Sequence, residues 1–177
     1  IGAAGDPVIG FDRHGNAYAA AISLDSEDFT IRNAVGNAAV SSIPISKSSD
    51  GGFTWSEPIP SAESHVDTGP AIEDLEGRTT YELRLPFLDK PWIAIGPNKE
   101  NPDQDVIYVS YTKFVTVHPI FFLFEVEPFM LVPVTETSIE VVRSEDGGLT
   151  WSEPVTVSPI VQSTVKEDSP KRAVQGL

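Results

Sequence analysis

Ser48-Ser49-Asp50-Gly51-Gly52-Phe53-Thr54-Trp55-Ser56-Glu57-Pro58 returns almost unchanged as Ser144-Glu145-Asp146-Gly147-Gly148-Leu149-Thr150-Trp151-Ser152-Glu153-Pro154. Nine of the eleven positions are identical, and the two copies lie 96 residues apart. Two copies of so particular a string indicate an internal structural repeat, and a repeat constrains the fold more strongly than composition does.

Each copy has the residues of a tight hairpin turn that leads into an outer strand. The Asp-Gly-Gly run supplies a carboxylate acceptor for turn N–H groups and the freedom to take a positive φ. We expect Thr54 to begin the returning strand and Trp55 to cover the turn, while Pro58 suits an edge strand. The set predicted to be structural is Ser48, Asp50, Gly52, Thr54 and Trp55 in the first copy and Ser144, Asp146, Gly148, Thr150 and Trp151 in the second.

The repeat extends beyond these strings. Residues 7–11 match residues 91–95 at an offset of 84, and residues 16–21 match residues 106–111 at an offset of 90. The strings themselves follow at 96. The offset grows in two steps, which predicts a longer loop after the first strand of the second unit and another after its second strand.

Apolar runs and turn residues predict four strands in each unit and little helix. In the first unit the strands are expected near residues 7–11, 17–24, 38–47 and 53–59. In the second they are expected near residues 91–95, 105–114, 137–144 and 149–157. Four antiparallel strands per repeat are typical of a β-propeller blade, and a ring closes with about 4–8 blades. We therefore predict an all-β chain with about two antiparallel four-stranded blades, which is an incomplete ring.

The blades and their connections divide the chain into four parts. Residues 1–61 form the first blade, residues 62–89 a linker loop, and residues 90–160 the second blade with an apolar hairpin insertion at 114–135. Residues 161–177 are a tail that leads toward a further blade. We expect either a fragment of a longer protein or a subunit that completes its ring by association.

The pattern Ser-x-Asp-x-Gly-x-Thr-Trp resembles the Asp-box, or BNR, repeat of the sialidase-like β-propellers. We call residues 48–58 the first box and residues 144–154 the second box. In that family the Asp-box is a folding element on the outer turn of a blade, usually away from the active-site face. The resemblance therefore implies an architecture more than a chemistry, together with an extracytoplasmic or secreted location.

Sialidases of this family use an arginine triad, a Tyr–Glu nucleophile pair and an Asp acid/base. The first arginine lies in a Tyr/Phe-Arg-Ile-Pro string ahead of the first box. Leu83-Arg84-Leu85-Pro86 is similar to that string but follows the first box, so Arg84 does not match the family position. The catalytic residues are left unassigned.

Charged residues of the predicted linker are candidates for binding. A linker between blades crosses the end of the propeller, where loops often carry ligand-binding groups. Asp67, Arg84 and Asp89 are the candidate blade-end binding residues. The alternative is that this segment is a solvated connecting loop.

Calcium is the only cofactor that the sequence suggests. Asp103 and Asp105 lie in an acidic loop with hard oxygen ligands, which calcium prefers. The spacing is not that of an EF-hand loop, and the alternative is a solvated acidic turn. The three histidines are scattered singly and suggest no zinc site.

The apolar insertion needs a cover, since residues 120–124 and 129–132 are almost entirely apolar. A neighbouring blade, a protein partner or a glycan could supply it. The formal net charge of −14 argues against nucleic acid or anionic membranes as partners. No apolar run reaches the length of a membrane helix, and the chain has no cysteine for disulfides.

Three functions from different classes remain. The first is a sialidase-like propeller module that binds a carbohydrate or protein ligand. The second is part of an exo-sialidase or other glycoside hydrolase whose catalytic residues lie largely outside this segment. The third is a purely structural repeat. We favour binding or scaffolding, because propellers host many unrelated activities and no catalytic set is visible.

Overall fold

The computed structural model describes residues 4–73, 79–123 and 127–164. This part of the chain contains strands and turns and no helix, so the all-β antiparallel prediction is confirmed. It likewise contains no helix long and apolar enough to cross a membrane. The strands are β1 (Ala4–Phe11), β2 (Ala17–Ile31), β3 (Ala34–Ser48), β4 (Ile59–Glu63), β5 (Asp67–Thr68), β6 (Ile72–Glu73), β7 (Thr79–Pro97), β8 (Asp105–Leu123), β9 (Glu127–Met130), β10 (Val134–Ser144), β11 (Val155–Thr156) and β12 (Val161–Thr164).

The strands form two antiparallel sheets. The first sheet is a meander with the order β1-β2-β3-β4. The second has the order β11-β10-β8-β7-β5, with β6 paired to β7, β9 to β8 and β12 to β10. In each sheet a box connects the third strand of the meander to its edge strand, β4 in the first and β11 in the second. We call β1 to β4 the first unit, and β7, β8, β10 and β11 the second unit.

Strand register in the two units follows the sequence offsets of 84, 90 and 96. Cross-strand pairs of the first unit reappear in the second unit when those offsets are added, so the repeat is present in the structure as well as in the sequence. The matched pairs are Ile9–Ala19 with Ile93–Val109, Ala17–Ser48 with Ile107–Ser144, and Ile45–Ile59 with Val141–Val155.

Both units also carry a β-bulge at the same place. In β1 the bulge contains Asp6 and Pro7, and in β7 it contains Lys90 and Pro91. Asp6 has φ 48° and Lys90 has φ 53°, so the residue before each proline is left-handed. Lys90 Nζ lies 2.6 Å from Asp6 Oδ2, and this ion pair joins the two bulges. A bulge kept in register marks a designed bend rather than a defect.

The main core lies between the two sheets. Both units contribute alternate side chains, because successive residues of a strand point to opposite faces. The first unit supplies Tyr18, Ala20, Ile43, Ile45 and Ala62, and the second sheet supplies Leu88, Ile93, Ile107, Val109, Tyr111 and Val142. The two sheets are thus packed face to face.

A second, smaller core lies at the end of the sheets away from the boxes. Ile31 of β2, Leu83 of β7 and Ile120 of β8 are buried there. Phe29 and Phe122 pack against this cluster. The first arm of the predicted apolar insertion is therefore partly covered by this chain itself, whereas Phe129 and its neighbours in residues 128–132 stay exposed.

The prediction of a linker loop over residues 62–89 is wrong for residues 62–63, which belong to β4, for the short strands β5 and β6, and for residues 79–89, which belong to β7. Apolar residues alternate with charged ones from Tyr81 to Leu85, and this is the period of a half-buried strand. Residues 74–78 of that segment and residues 165–177 of the tail lie outside the described residues.

The predicted box strands are also wrong. Strands were expected over residues 53–59 and 149–157, but β4 begins at Ile59 and β11 at Val155. The amides of Thr54 and Thr150 donate to box aspartates instead of to a neighbouring strand, so the ladder cannot start there.

Candidate functional site

The first box is held by a closed set of local hydrogen bonds. Asp50 accepts from the Ser48 hydroxyl at 2.8 Å, from the Thr54 amide at 2.9 Å and from the Thr54 hydroxyl at 2.6 Å. Ser48 Oγ accepts from the Gly52 amide, and the Trp55 indole donates to the Gly52 carbonyl oxygen. Gly52 takes φ 91°, a value that residues with a side chain rarely adopt. Both oxygens of Asp50 are thus occupied within the turn.

The second box repeats this arrangement and is packed against the first unit. Asp146 accepts from Ser144 at 2.8 Å and from the Thr150 amide and hydroxyl at 2.9 and 2.6 Å. Gly148 donates to the Ser144 hydroxyl oxygen. The Trp151 indole nitrogen, unlike that of Trp55, is buried without a hydrogen-bond partner among the described residues.

Both box carboxylates are held in the ionised form. The Thr54 hydroxyl and amide, with Ser48, lower the pKa of Asp50 to about 2. Burial raises the pKa of Asp146, but its hydrogen bonds, led by the Thr150 hydroxyl, outweigh that effect and lower the pKa to about 2. A carboxylate that is ionised and fully bonded locally serves the turn rather than proton transfer.

The structure brings two of the three candidate blade-end residues together. Asp67 is exposed and lies opposite Arg84 in the β5–β7 ladder. Arg84 Nη2 lies 2.5 Å from Glu136 Oε2, and Arg84 Nη1 lies 3.7 Å from Glu82 Oε2. The positive charge of Arg84 is therefore already balanced by two carboxylates, which leaves little attraction for an anionic ligand.

Asp89 does not join that pair. It lies five residues further along β7, which corresponds to roughly 16 Å of strand. Its Oδ1 accepts from the Lys90 amide at 2.9 Å, next to the bulge. Asp89 thus has a local backbone partner and is remote from Arg84.

Of the two calcium candidates, Asp105 is bonded to an arginine. Arg13 of the first unit donates to Asp105 from its backbone amide at 3.0 Å and from Nε at 2.7 Å. The guanidinium also donates to the Pro102 carbonyl oxygen, while Asp103 is exposed. The hydrogen bond from the Arg13 side chain holds the pKa of Asp105 below its usual value. No group of three or more possible metal ligands occurs among the described residues.

A groove of about 330 Å³, lined mostly by polar residues, opens between the units at the end that carries the boxes. Its volume is at the lower end of the range for small-ligand sites. Sequence reasoning missed it, because its walls come from loops far apart in the chain. Its lining includes Asp12, His14, Asn16, Tyr18 and Lys47 of the first unit, and Asp103, Asp105, Glu145, Asp146 and Gly147 of the second.

Some groove residues are fixed by internal bonds and others are free to meet a ligand. Asp12 accepts from the amides of His14 and Asn16, from the Asn16 side chain and from the Tyr18 hydroxyl. Lys47 Nζ lies 5.4 Å from the centre of the Tyr18 ring. Asp103 is exposed, and the exposed Glu145 lies 3.3 Å from Arg143. Carboxylates and an ammonium at one groove can exchange hydrogen bonds with hydroxyl or amide groups of a ligand.

Among the described residues, a tyrosine hydroxyl is hydrogen-bonded to a glutamate in the core. The Tyr111 hydroxyl donates to Glu140 Oε2 at 3.0 Å, and Lys113 Nζ lies 3.1 Å from Glu140 Oε1. Tyr111 is only 1% exposed. Burial, followed by the nearby charge of Glu140, raises the pKa of Tyr111, which is the opposite of what a tyrosine nucleophile needs.

Comparisons with protein-family models, with curated proteins and with solved structures found no match to this chain.

Proposed function

We propose that this chain forms two neighbouring blades of a sialidase-like Asp-box β-propeller and serves as a binding or scaffolding module for a carbohydrate or a protein. The main support for this proposal is the common strand register of the two units, which share the same box, the same bulge and the same strand order. Face-to-face packing of the two sheets is what neighbouring blades require.

Binding is favoured over bond cleavage by the state of the polar residues. Arg84 is balanced by Glu136, Arg13 by Asp105, and Arg143 lies 3.3 Å from Glu145. Tyr111 is buried with a raised pKa. The net charge of −14 also disfavours anionic substrates.

The groove between the units is the proposed ligand position. Its exposed carboxylate Asp103 suits the hydroxyl groups of a neutral sugar or the amides of a peptide, and the exposed Glu145 lines the same groove with one oxygen near Arg143. An extracytoplasmic location forms part of the proposal and is supported by the family resemblance alone.

The experiment combines a binding screen with an activity assay. The chain is screened against immobilised neutral and sialylated glycans, and its hydrolysis of a fluorogenic sialoside is measured in parallel. We expect binding to neutral glycans that falls at least tenfold in Asp103→Ala and is kept in Asp25→Ala, an exposed carboxylate outside the groove. Turnover of the sialoside, or equal binding by both variants, would contradict the proposal.

A further inference from the structure

Each unit presents two faces, which we define by equivalent residues. Face A carries Ile9, Phe11, Ala17 and Ala19 in the first unit and Ile93, Ile95, Ile107 and Val109 in the second. Face B carries Val8, Gly10, Tyr18 and Ala20 in the first unit and Trp92, Ala94, Tyr108 and Ser110 in the second. The core between the units is built from face B of the first and face A of the second.

Each of the two remaining faces carries exposed apolar side chains. Ile9 is 53% exposed, whereas its equivalent Ile93 is 7% exposed. Tyr108 is 41% exposed, whereas its equivalent Tyr18 is 2% exposed. In these two pairs the same residue type is covered inside the molecule and uncovered on an outer face, whereas Ala17 on face A of the first unit is itself buried. Phe11 at 64% and Trp92 at 59% lie beside them on the open faces.

Contact between the units is heterologous, because two different faces meet. One heterologous pairing occupies only one face of each unit, so the other faces can form further contacts of the same kind. Repeated contacts generate a ring if the rotation closes. Face A of the first unit and face B of the second unit are the two halves of the same kind of contact. The internal contact therefore indicates the complement of each open face. The open face A of the first unit fits a face B, and the open face B of the second unit fits a face A.

Charge favours the same pairing. Asp6 and Lys90 occupy equivalent positions and form an ion pair across the internal contact. A further contact of this kind between two copies would place Lys90 of one beside Asp6 of the next, again with opposite signs. On face A, Ala17 and Ala19 stand where the second unit has the larger Ile107 and Val109, whereas the open face B carries the large Trp92 and Tyr108.

We propose that copies of this chain associate head to tail, with face B of the second unit of one copy on face A of the first unit of the next. This inference rests on the proposed function, in which the units are propeller blades. A ring of about 4–8 blades corresponds to two, three or four copies of a two-blade chain.

The test measures the mass of the chain in solution by light scattering after size exclusion. We expect an oligomer of two to four copies, and we expect Phe11→Glu and Trp92→Glu each to dissociate it. An equimolar mixture of the two variants keeps one intact contact, so it should form a dimer and nothing larger. Val35→Glu, an exposed apolar position at the far hairpin of β2 and β3, is the matched control and should leave the oligomer intact.

A wild-type chain that remains monomeric up to its solubility limit would overturn the inference and would assign the open faces to further blades of a longer protein. A mixture of the two variants that fails to dimerise would also overturn it. The internal contact can be tested separately through Gly10 and Ile93, described below. If that contact is confirmed in a monomer, the head-to-tail association fails while the proposed function stands.

Discussion

At the residue scale, Gly10 decides how closely the two units approach. A Cβ added at Gly10 would lie 2.7 Å from Ile93 Cγ2 and 3.3 Å from Ile95 Cδ1. Ile93 is β-branched and sits in a strand, so its methyl group has little freedom to move away. The absent side chain is therefore part of the interface.

Gly10→Ala should lower the free energy of unfolding by about 1–3 kcal/mol, because it overpacks a well-filled core. The measurement is urea unfolding followed by tryptophan fluorescence. Gly96→Ala is the matched control, since an added Cβ there meets no atom within 4 Å. Its stability should be unchanged or slightly raised, and an equal loss in both variants would argue against the close approach at Gly10.

The box aspartates predict a pH dependence of stability. The pKa values of Asp50 and Asp146 fall from an ordinary 3.8 to about 2 in the folded chain. A lowered folded pKa stabilises the protein above the unfolded value, and that contribution is lost as the pH falls through the folded value. The free energy of unfolding should therefore decline between about pH 4 and pH 2.

The Asp50→Asn, Asp146→Asn double variant should be less stable at neutral pH and should show a shallower decline over that interval. Urea unfolding at several pH values measures both quantities. The wild type and the double variant declining with the same slope would show that other carboxylates govern the acid sensitivity.

At the element scale, β8 and β10 are joined by a buried polar pair. Tyr111 and Glu140 lie directly opposite each other in the β8–β10 ladder, and Lys113 reaches the same carboxylate. Glu140 is buried, so its carboxylate oxygens need these two hydrogen-bond partners. The pair pins the register at the centre of the second unit.

Glu140→Ala should lower the free energy of unfolding by about 1–3 kcal/mol, because it leaves the buried Tyr111 hydroxyl without an acceptor. Glu63→Ala, an exposed glutamate on the edge strand β4, should change stability by less than about 0.5 kcal/mol. Chemical unfolding of both variants provides the comparison. Equal losses would mean that the carboxylate contributes no more than an exposed one.

The pairing register of the strands was predictable from the sequence repeat. The offsets taken from the two boxes and from Tyr18 and Tyr108 give the observed register, because a meander with short turns leaves pairing little freedom. The start of the box strands was not predictable from β-propensity. Thr54 is a good strand residue, but its amide is bonded to Asp50.

The groove was harder to predict than the strands. Asp12 and Asn16 come from one loop and Asp103 and Glu145 from two others, and only the packing of the sheets brings them together. The turn at Asp12 is the part of the groove that forms locally, because the Asp12 carboxylate accepts hydrogen bonds from two backbone amides of its own turn. Two of the sequence-based candidates are instead committed to partners within the chain, Arg84 to Glu136 and Asp105 to Arg13.

At the scale of the whole molecule, the net charge of −14 opposes compaction. Like charges repel one another in the folded state, and salt screens that repulsion. Added sodium chloride should therefore raise the melting temperature. Each kcal/mol by which the free energy of unfolding increases corresponds to a rise of about 2–4 °C for a chain of this size. Scanning calorimetry at low and high salt measures this, and a fall with salt would show that ion pairs such as Arg13–Asp105 dominate.

The contact between the two units is the central claim, and a double-mutant cycle at Gly10 and Ile93 tests it most directly. Ile93→Ala removes the methyl group that a side chain at position 10 would strike. If the units pack as described, the Gly10→Ala, Ile93→Ala double variant will lose less stability than the sum of the single losses, by more than about 1 kcal/mol. Losses that add to within about 0.5 kcal/mol would contradict the stacked arrangement of the two units.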